Sequence, residues 1–223
     1  MRHRFLLCLL LPLNVMAAGE KPDPMAPNTD VPGLPRVLLI GDSISIGYTL
    51  PTRELLAGVA NVHRIPMNGG STRDGLKHLD QWLGDGPWDV IHFNWGLHDL
   101  KHWKDGKMDI TGPEVTPVEL YEINLRKLVA RLEQTGAKLI FATTTPVPVD
   151  AFGRLPGSQA AYNETALKIM REAHVPIDDL EAAAREDLMA IQKSKDVHFT
   201  TKGSRRLAEK VAASIKTALA RQE

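Results

Sequence analysis

A single cysteine, Cys8, occurs among the 223 residues, and it lies in an apolar run near the start of the chain. The rest of the chain therefore has no disulfide and no cysteine-based metal site, and must be held by its core alone. Charge of one sign is missing as well. Lysine plus arginine and aspartate plus glutamate number 27 each, so the formal net charge is zero. No field of one sign exists to recruit nucleic acid or an acidic membrane surface, and no nucleic-acid partner is expected. The pair Arg205-Arg206 reads as a solvated helix face. No internal repeat and no second domain are visible. At this length one α/β domain with a substantial core fits, and two do not fit comfortably.

What is present begins with a leader pattern. Met1-Arg2-His3-Arg4 is basic, residues 5–13 are apolar but too few to span a bilayer, and Val15-Met16-Ala17 offers small residues for cleavage. Residues 1–18 are expected to be a signal peptide whose removal takes Cys8 away and leaves a secreted or periplasmic protein without a stable membrane anchor. A lipid attachment at Cys8 is not favoured, because Phe5-Leu6-Leu7 before it are large. Residues 19–35, rich in proline and charge and lacking periodicity, read as a tether. The domain is expected over residues 36–223.

From Arg36 onward short apolar runs alternate with amphipathic stretches. Strands are expected over residues 37–40, 61–64, 89–94, 138–143 and 175–177. Val37-Leu38-Leu39-Ile40 is apolar on both faces, which suits a parallel sheet covered on two sides. Helices are expected over residues 120–132, 160–173 and 180–191, and from Thr200 or Thr201 onward, where Leu207, Val211, Ile215 and Leu219 form one stripe. Five such alternations predict a doubly wound, three-layer α/β/α domain with a five-stranded parallel sheet. Residues 101–117, with Gly106, Gly112, Pro113 and Pro117, read as a loop on the edge where such folds bind ligands.

Chemistry-bearing residues fall on that same edge. Gly41-Asp42-Ser43 follows the first strand and precedes a helix, which exposes Ser43 over the crevice with backbone N–H groups beside it. A helix N-cap is the bland alternative for this serine. Ser45 stands where a G-x-S-x-G elbow would need its second glycine, so that motif is excluded. Asn68-Gly69-Gly70 follows the second strand, Gly96-Leu97-His98-Asp99 the third, and Asp196-Val197-His198 precedes the last helix. A serine, a base and an acid drawn from distant loops onto one sheet edge are what nucleophilic catalysis requires.

Gly41-Asp42-Ser43-Ile44, Gly70, Gly96-x-x-Asp99 and Asp196-x-His198 resemble the four sequence blocks of the SGNH (GDSL-type) hydrolases, over nearly the whole domain. The resemblance implies a flavodoxin-like fold and esterase, lipase, thioesterase or deacetylase activity without a cofactor or metal. It makes Ser43 the nucleophile, His198 the general base, and the N–H groups of Ser43 and Gly70 with residue 98 the oxyanion hole. Two positions depart from the family pattern. His98 replaces the usual asparagine, and Lys195 stands three residues before His198 where the family has aspartate. Asp196 is the nearest carboxylate; Asp178 or Asp179 is the fallback, and a chain with no orienting acid would be weakly active.

Asp42, Asp99, Trp95 and His102 are candidates for substrate binding, with Trp103 beside them, since tryptophan and histidine surfaces suit sugar rings. His98, Asp99 and His102 match no metal-binding spacing, and His92 reads as a core histidine. The expected function is hydrolysis of a small acyl ester, carried by a carbohydrate or another small molecule, through an acyl-Ser43 intermediate. The alternative is a non-catalytic or weakly active carbohydrate-binding member of the same fold.

Overall fold

The computed structural model describes residues 22–84 and 86–220. The expected signal peptide lies outside them. Residues 22–35, read as a tether, lie against the domain: Asn61 exchanges side-chain hydrogen bonds with the Val31 backbone at 2.8 and 3.0 Å, and Arg53 donates to the Ala26 carbonyl.

The chain runs β1 (Arg36–Ile40), α1 (Ser43–Leu55), β2 (Asn61–Arg64), α2 (Thr72–Leu83) and β3 (Val90–Phe93). It continues through β4 (Trp103–Lys104), β5 (Lys107–Met108), α3 (Val118–Glu133), β6 (Lys138–Ala142) and α4 (Gln159–Glu172), then β7 (Ile177–Asp178), α5 (Leu180–Arg185), α6 (Leu188–Ile191) and α7 (Thr201–Ala220). Five strands form one sheet in the order β2-β1-β3-β6-β7, all parallel. Strands β1 and β3 are buried along nearly their whole length, as expected for the centre of a sheet covered on both faces. Helices α1 and α7 pack together over one face and α2, α3 and α4 over the other. The three-layer α/β/α architecture is as expected.

Three local readings are corrected. Residues 101–117 are not plain loop: β4 and β5 pair as an antiparallel hairpin. Its turn is Asp105-Gly106, with φ of 49° and 79°, the dipeptide that favours a tight hairpin. The helix expected over 180–191 is two, because Asp187, at φ −147° and ψ 36°, leaves helical geometry. The last strand starts at Ile177 rather than at 175.

The order 2-1-3 places the switch point of the winding between β1 and β3, where the connections leave in opposite directions and open a crevice. The segments that follow these two strands are the ones carrying Ser43 and His98.

Candidate active site

Asp42 caps α1, its carboxylate accepting from Ile44 N–H at 2.9 Å. Ser43 thus takes the first helical position, whose N–H has no intrahelical acceptor, at the positive end of the helix dipole. The turn is braced from β2. Arg64, 8 % exposed, donates to the Gly41 carbonyl at 3.0 Å and to the Ser45 hydroxyl. Burial lowers this guanidinium to about 10, and it remains charged at neutral pH.

The imidazole of His198 comes from the loop before α7. Its Nε2 stands 2.9 Å from Ser43 Oγ, and its Nδ1 stands 2.6 Å from Asp196 Oδ1. The same carboxylate oxygen accepts the His198 backbone N–H at 3.1 Å. Burial raises the Asp196 carboxyl, but the hydrogen bonds and charge of His198 outweigh it and hold the group below its ordinary value. Asp178 and Asp179 are engaged elsewhere. Asp178 accepts from the fully buried His92 ring at 2.9 Å, and Asp179 caps α5.

After β2, Gly69 and Gly70 bring backbone toward Ser43. Gly69 N–H donates to the Gly41 carbonyl at 2.9 Å, and a Cβ on Gly69 would lie 2.8 Å from that oxygen. Gly70 sits at φ 59°, and its N–H donates to Asn68 Oδ1 at 3.0 Å. Ser71 then caps α2 through a reciprocal bond with Asp74.

The segment after β3 divides its residues. Trp95 is 1 % exposed, with its indole N–H toward the Gly69 carbonyl at 3.3 Å. Asp99 is fully buried and accepts from both the N–H and the hydroxyl of Thr72, at 2.9 and 2.6 Å. His102 is also buried, its Nδ1–H donating to the Gly112 carbonyl at 2.8 Å. These three, and Asp42, brace the site from inside. All four are 9 % exposed or less, and the buried Nε2 of His102 has no hydrogen-bond partner among the described residues. Trp103 is the exposed aromatic, at 44 %. It lines an open cleft of about 640 Å³, together with Arg73, Asp74, His98, Lys101 and Glu114. Among the described residues no three His, Cys, Asp or Glu side chains gather as metal ligands.

His98 is partly buried, with Lys101 Nζ 3.0 Å from its Nδ1. Burial lowers this imidazole to about 4; Lys101 and Arg154 add to the effect, and Asp42 and Asp74 oppose it. Arg154, from the loop after β6, fixes the turn by donating to the Leu97 carbonyl at 3.0 Å. Arg64, Lys101 and Arg154 were not singled out in the sequence. The one cue was a charged side chain at the carboxyl end of a strand or in the turn that follows it.

A serine hydroxyl, an imidazole and a carboxylate in hydrogen-bonded series at the carboxyl edge of a parallel sheet form the constellation of a serine hydrolase. Residues 39–206 match the GDSL-like lipase/acylhydrolase family. The chain belongs to this family, the SGNH hydrolases of the sequence resemblance, and is a serine esterase. No curated protein matches it. Among solved structures it is similar to the acetyl xylan esterase AlAXEase, at TM-score 0.66 and 16 % identity over 81 % of this chain and 99 % of the other. It is likewise similar to the lipase/acylhydrolase from Enterococcus faecalis, at TM-score 0.65 and 19 % identity, covering 82 % and 96 %. An acetylxylan esterase from Geobacillus stearothermophilus gives TM-score 0.64 and 18 % identity, covering 84 % and 95 %. At these identities the likeness is one of fold.

Proposed function

We propose that the protein is exported and hydrolyses a small acyl ester, borne by a carbohydrate, through an acyl-Ser43 intermediate. The observation that carries the mechanism is the unbroken series from Ser43 Oγ through His198 to Asp196, at 2.9 and 2.6 Å. His198 Nε2 takes the Ser43 proton as Oγ attacks the acyl carbon, and Asp196 stabilises the imidazolium. The proton then passes to the leaving alcohol. Water attacks the acyl-enzyme with the same imidazole as base, releasing the acid and restoring Ser43.

The negative oxygen of each tetrahedral intermediate is held by the Ser43 N–H at the helix end, by the Gly70 N–H once Asn68 turns aside, and by His98 Nε2–H. The exposed Trp103, beside the charged and polar wall of the cleft, supports a carbohydrate as the ester's bearer. The acetylxylan esterases of the same fold agree with a short acyl group. A non-catalytic reading loses its main support, since Asp196 supplies the carboxylate that Lys195 does not.

The test is release of acetate from acetylated xylan, and of p-nitrophenol from its acetate, by wild type and Ser43→Ala. Turnover of the aryl ester without any action on acetylated sugars removes the carbohydrate assignment. Equal turnover by wild type and Ser43→Ala removes the mechanism.

A further inference from the structure

Lys101 lies three residues after His98, and its Nζ stands 3.0 Å from His98 Nδ1. A lysine ammonium has three donors and no acceptor, so the contact requires Nδ1 to accept. A neutral imidazole that accepts at Nδ1 carries its proton on Nε2. We propose that Lys101 is a positioning residue for the ester hydrolysis: by donating to Nδ1 it holds His98 as the neutral tautomer whose Nε2–H is free to donate to the oxyanion. The inference rests on the reading of His98 as an oxyanion donor.

An asparagine at position 98 would need no such partner, because its amide always carries N–H. Imidazole has two neutral tautomers, and only one of them presents Nε2–H. The substitution of histidine into this position therefore creates a requirement, and a cation three residues along the same turn meets it.

The charged groups facing His98 are Asp42 at the start of α1, Asp74 in α2, Arg154 from the loop after β6, and Lys101 itself. Arg73 and Glu114 share the cleft wall. In this setting His98 stays neutral across the working range. Lys101 is lowered to about 8, first by burial and then by Arg154, against the pull of Asp42 and Asp74. As pH rises past that value Lys101 loses its proton. The neutral amine can accept as well as donate, so the Nδ1–H tautomer also gains a partner and Nε2–H is no longer fixed. Turnover then falls on the alkaline side through a group that neither attacks nor accepts a proton in the reaction.

The experiment is the pH profile of kcat and KM on p-nitrophenyl acetate for wild type, Lys101→Met and Lys101→Arg, each also built into His98→Asn. Removing the residue that orients a working imidazole should cost roughly tenfold or more in kcat for Lys101→Met. KM should stay within about twofold, because the donor acts on charge that develops in the transition state. Lys101→Arg, whose guanidinium donates, cannot accept and does not titrate in this range, should recover most of kcat and lose the alkaline fall near pH 8. On the His98→Asn background Lys101→Met should cost less than about twofold, since the coupling is gone.

Ring nitrogen shifts of His98, read by 15N spectroscopy, give a measure independent of turnover: Nε2–H in wild type and Lys101→Arg, mostly Nδ1–H in Lys101→Met. Equal costs of Lys101→Met on both backgrounds, or an alkaline fall that persists in Lys101→Arg, overturn the role of Lys101. A harmless His98→Ala overturns the donor reading itself. A severe His98→Ala with a harmless Lys101→Met removes only the positioning role.

Discussion

His198 Nδ1 and Asp196 Oδ1 stand 2.6 Å apart although a single residue, Val197, separates them in the chain. Lys195, at φ 57°, turns the backbone just before the pair, and Val197 is buried at 2 % between them. Asp196 therefore folds back beneath its own neighbour and also takes the His198 backbone N–H on the same oxygen. The bond assigns the ring proton to Nδ1 and leaves Nε2 to accept from Ser43. A local turn thus supplies the carboxylate that the family pattern places one residue earlier.

Asp196→Asn should lower kcat by roughly a thousandfold or more, because an amide facing Nδ1 can hold the wrong tautomer. Asp179→Ala should leave kcat near wild type and cost about 1 kcal/mol of stability as a lost helix cap. Steady-state kinetics with thermal melts of both variants check this. A larger loss of kcat in Asp179→Ala than in Asp196→Asn would assign the orienting acid to the wrong residue.

Ser43→Ala should fold as wild type and lose esterase turnover by several orders of magnitude, since the attacking atom is gone. Circular dichroism and aryl-ester kinetics test the two halves separately. Residual turnover within about threefold of wild type is incompatible with a nucleophile at this position.

His98→Ala should lower kcat by roughly a hundred- to thousandfold, the effect of removing one oxyanion donor, with little change in KM. His98→Asn should recover a good part of it. Equal and severe loss in both variants would rule out a donor role that an amide can fill, and no loss in either would take His98 out of the site.

Asp99 ties the start of α2 to the turn after β3, and removing it should be costly. Asp99→Ala takes away the acceptor of the buried Thr72 N–H and of the Thr72 hydroxyl, which keeps only its bond from Asn124, and should destabilise by about 1–3 kcal/mol. Burial raises the Asp99 carboxyl from 3.8 to about 7, against the Thr72 hydrogen bonds. A carboxyl whose folded value lies above its free value gains a proton on folding. Its contribution is therefore fully present below the free value and declines as pH rises from about 4 to about 7. Denaturant unfolding of wild type and Asp99→Asn across that window should show a decline in wild type that is smaller in the variant. Parallel curves would remove the assignment.

The full-length chain, expressed with a functioning export pathway, should appear outside the cytoplasm with its N-terminus near Ala17 or Ala18. N-terminal sequencing of the exported protein checks it. An intact Met1 on a cytoplasmic product would end the localisation proposal.

The sequence by itself determined the layered architecture. Apolar runs of strand length alternate with helical stripes such as Leu207, Val211 and Ile215, and that pattern is local, set by the periods of strand and helix. It also placed Ser43, Gly70, His98 and His198 on one sheet edge, because each directly follows a strand or precedes a helix whose direction the parallel winding fixes. The folded molecule decided which side chains point where. Trp95 and Trp103 are alike on the page, yet one closes the core behind Gly69 and the other stands in the cleft, because the Asp105-Gly106 hairpin lifts Trp103 outward. Three acidic residues competed for His198, and a left-handed residue at 195 chose among them. Arg64 and Arg154 acquired their partners only when segments far apart in the chain met at the crevice, and Lys101 met His98 only once the turn after β3 had formed. Periodicity records which face of an element is buried; hydrogen-bond partners depend on distances between elements, and those exist only after packing.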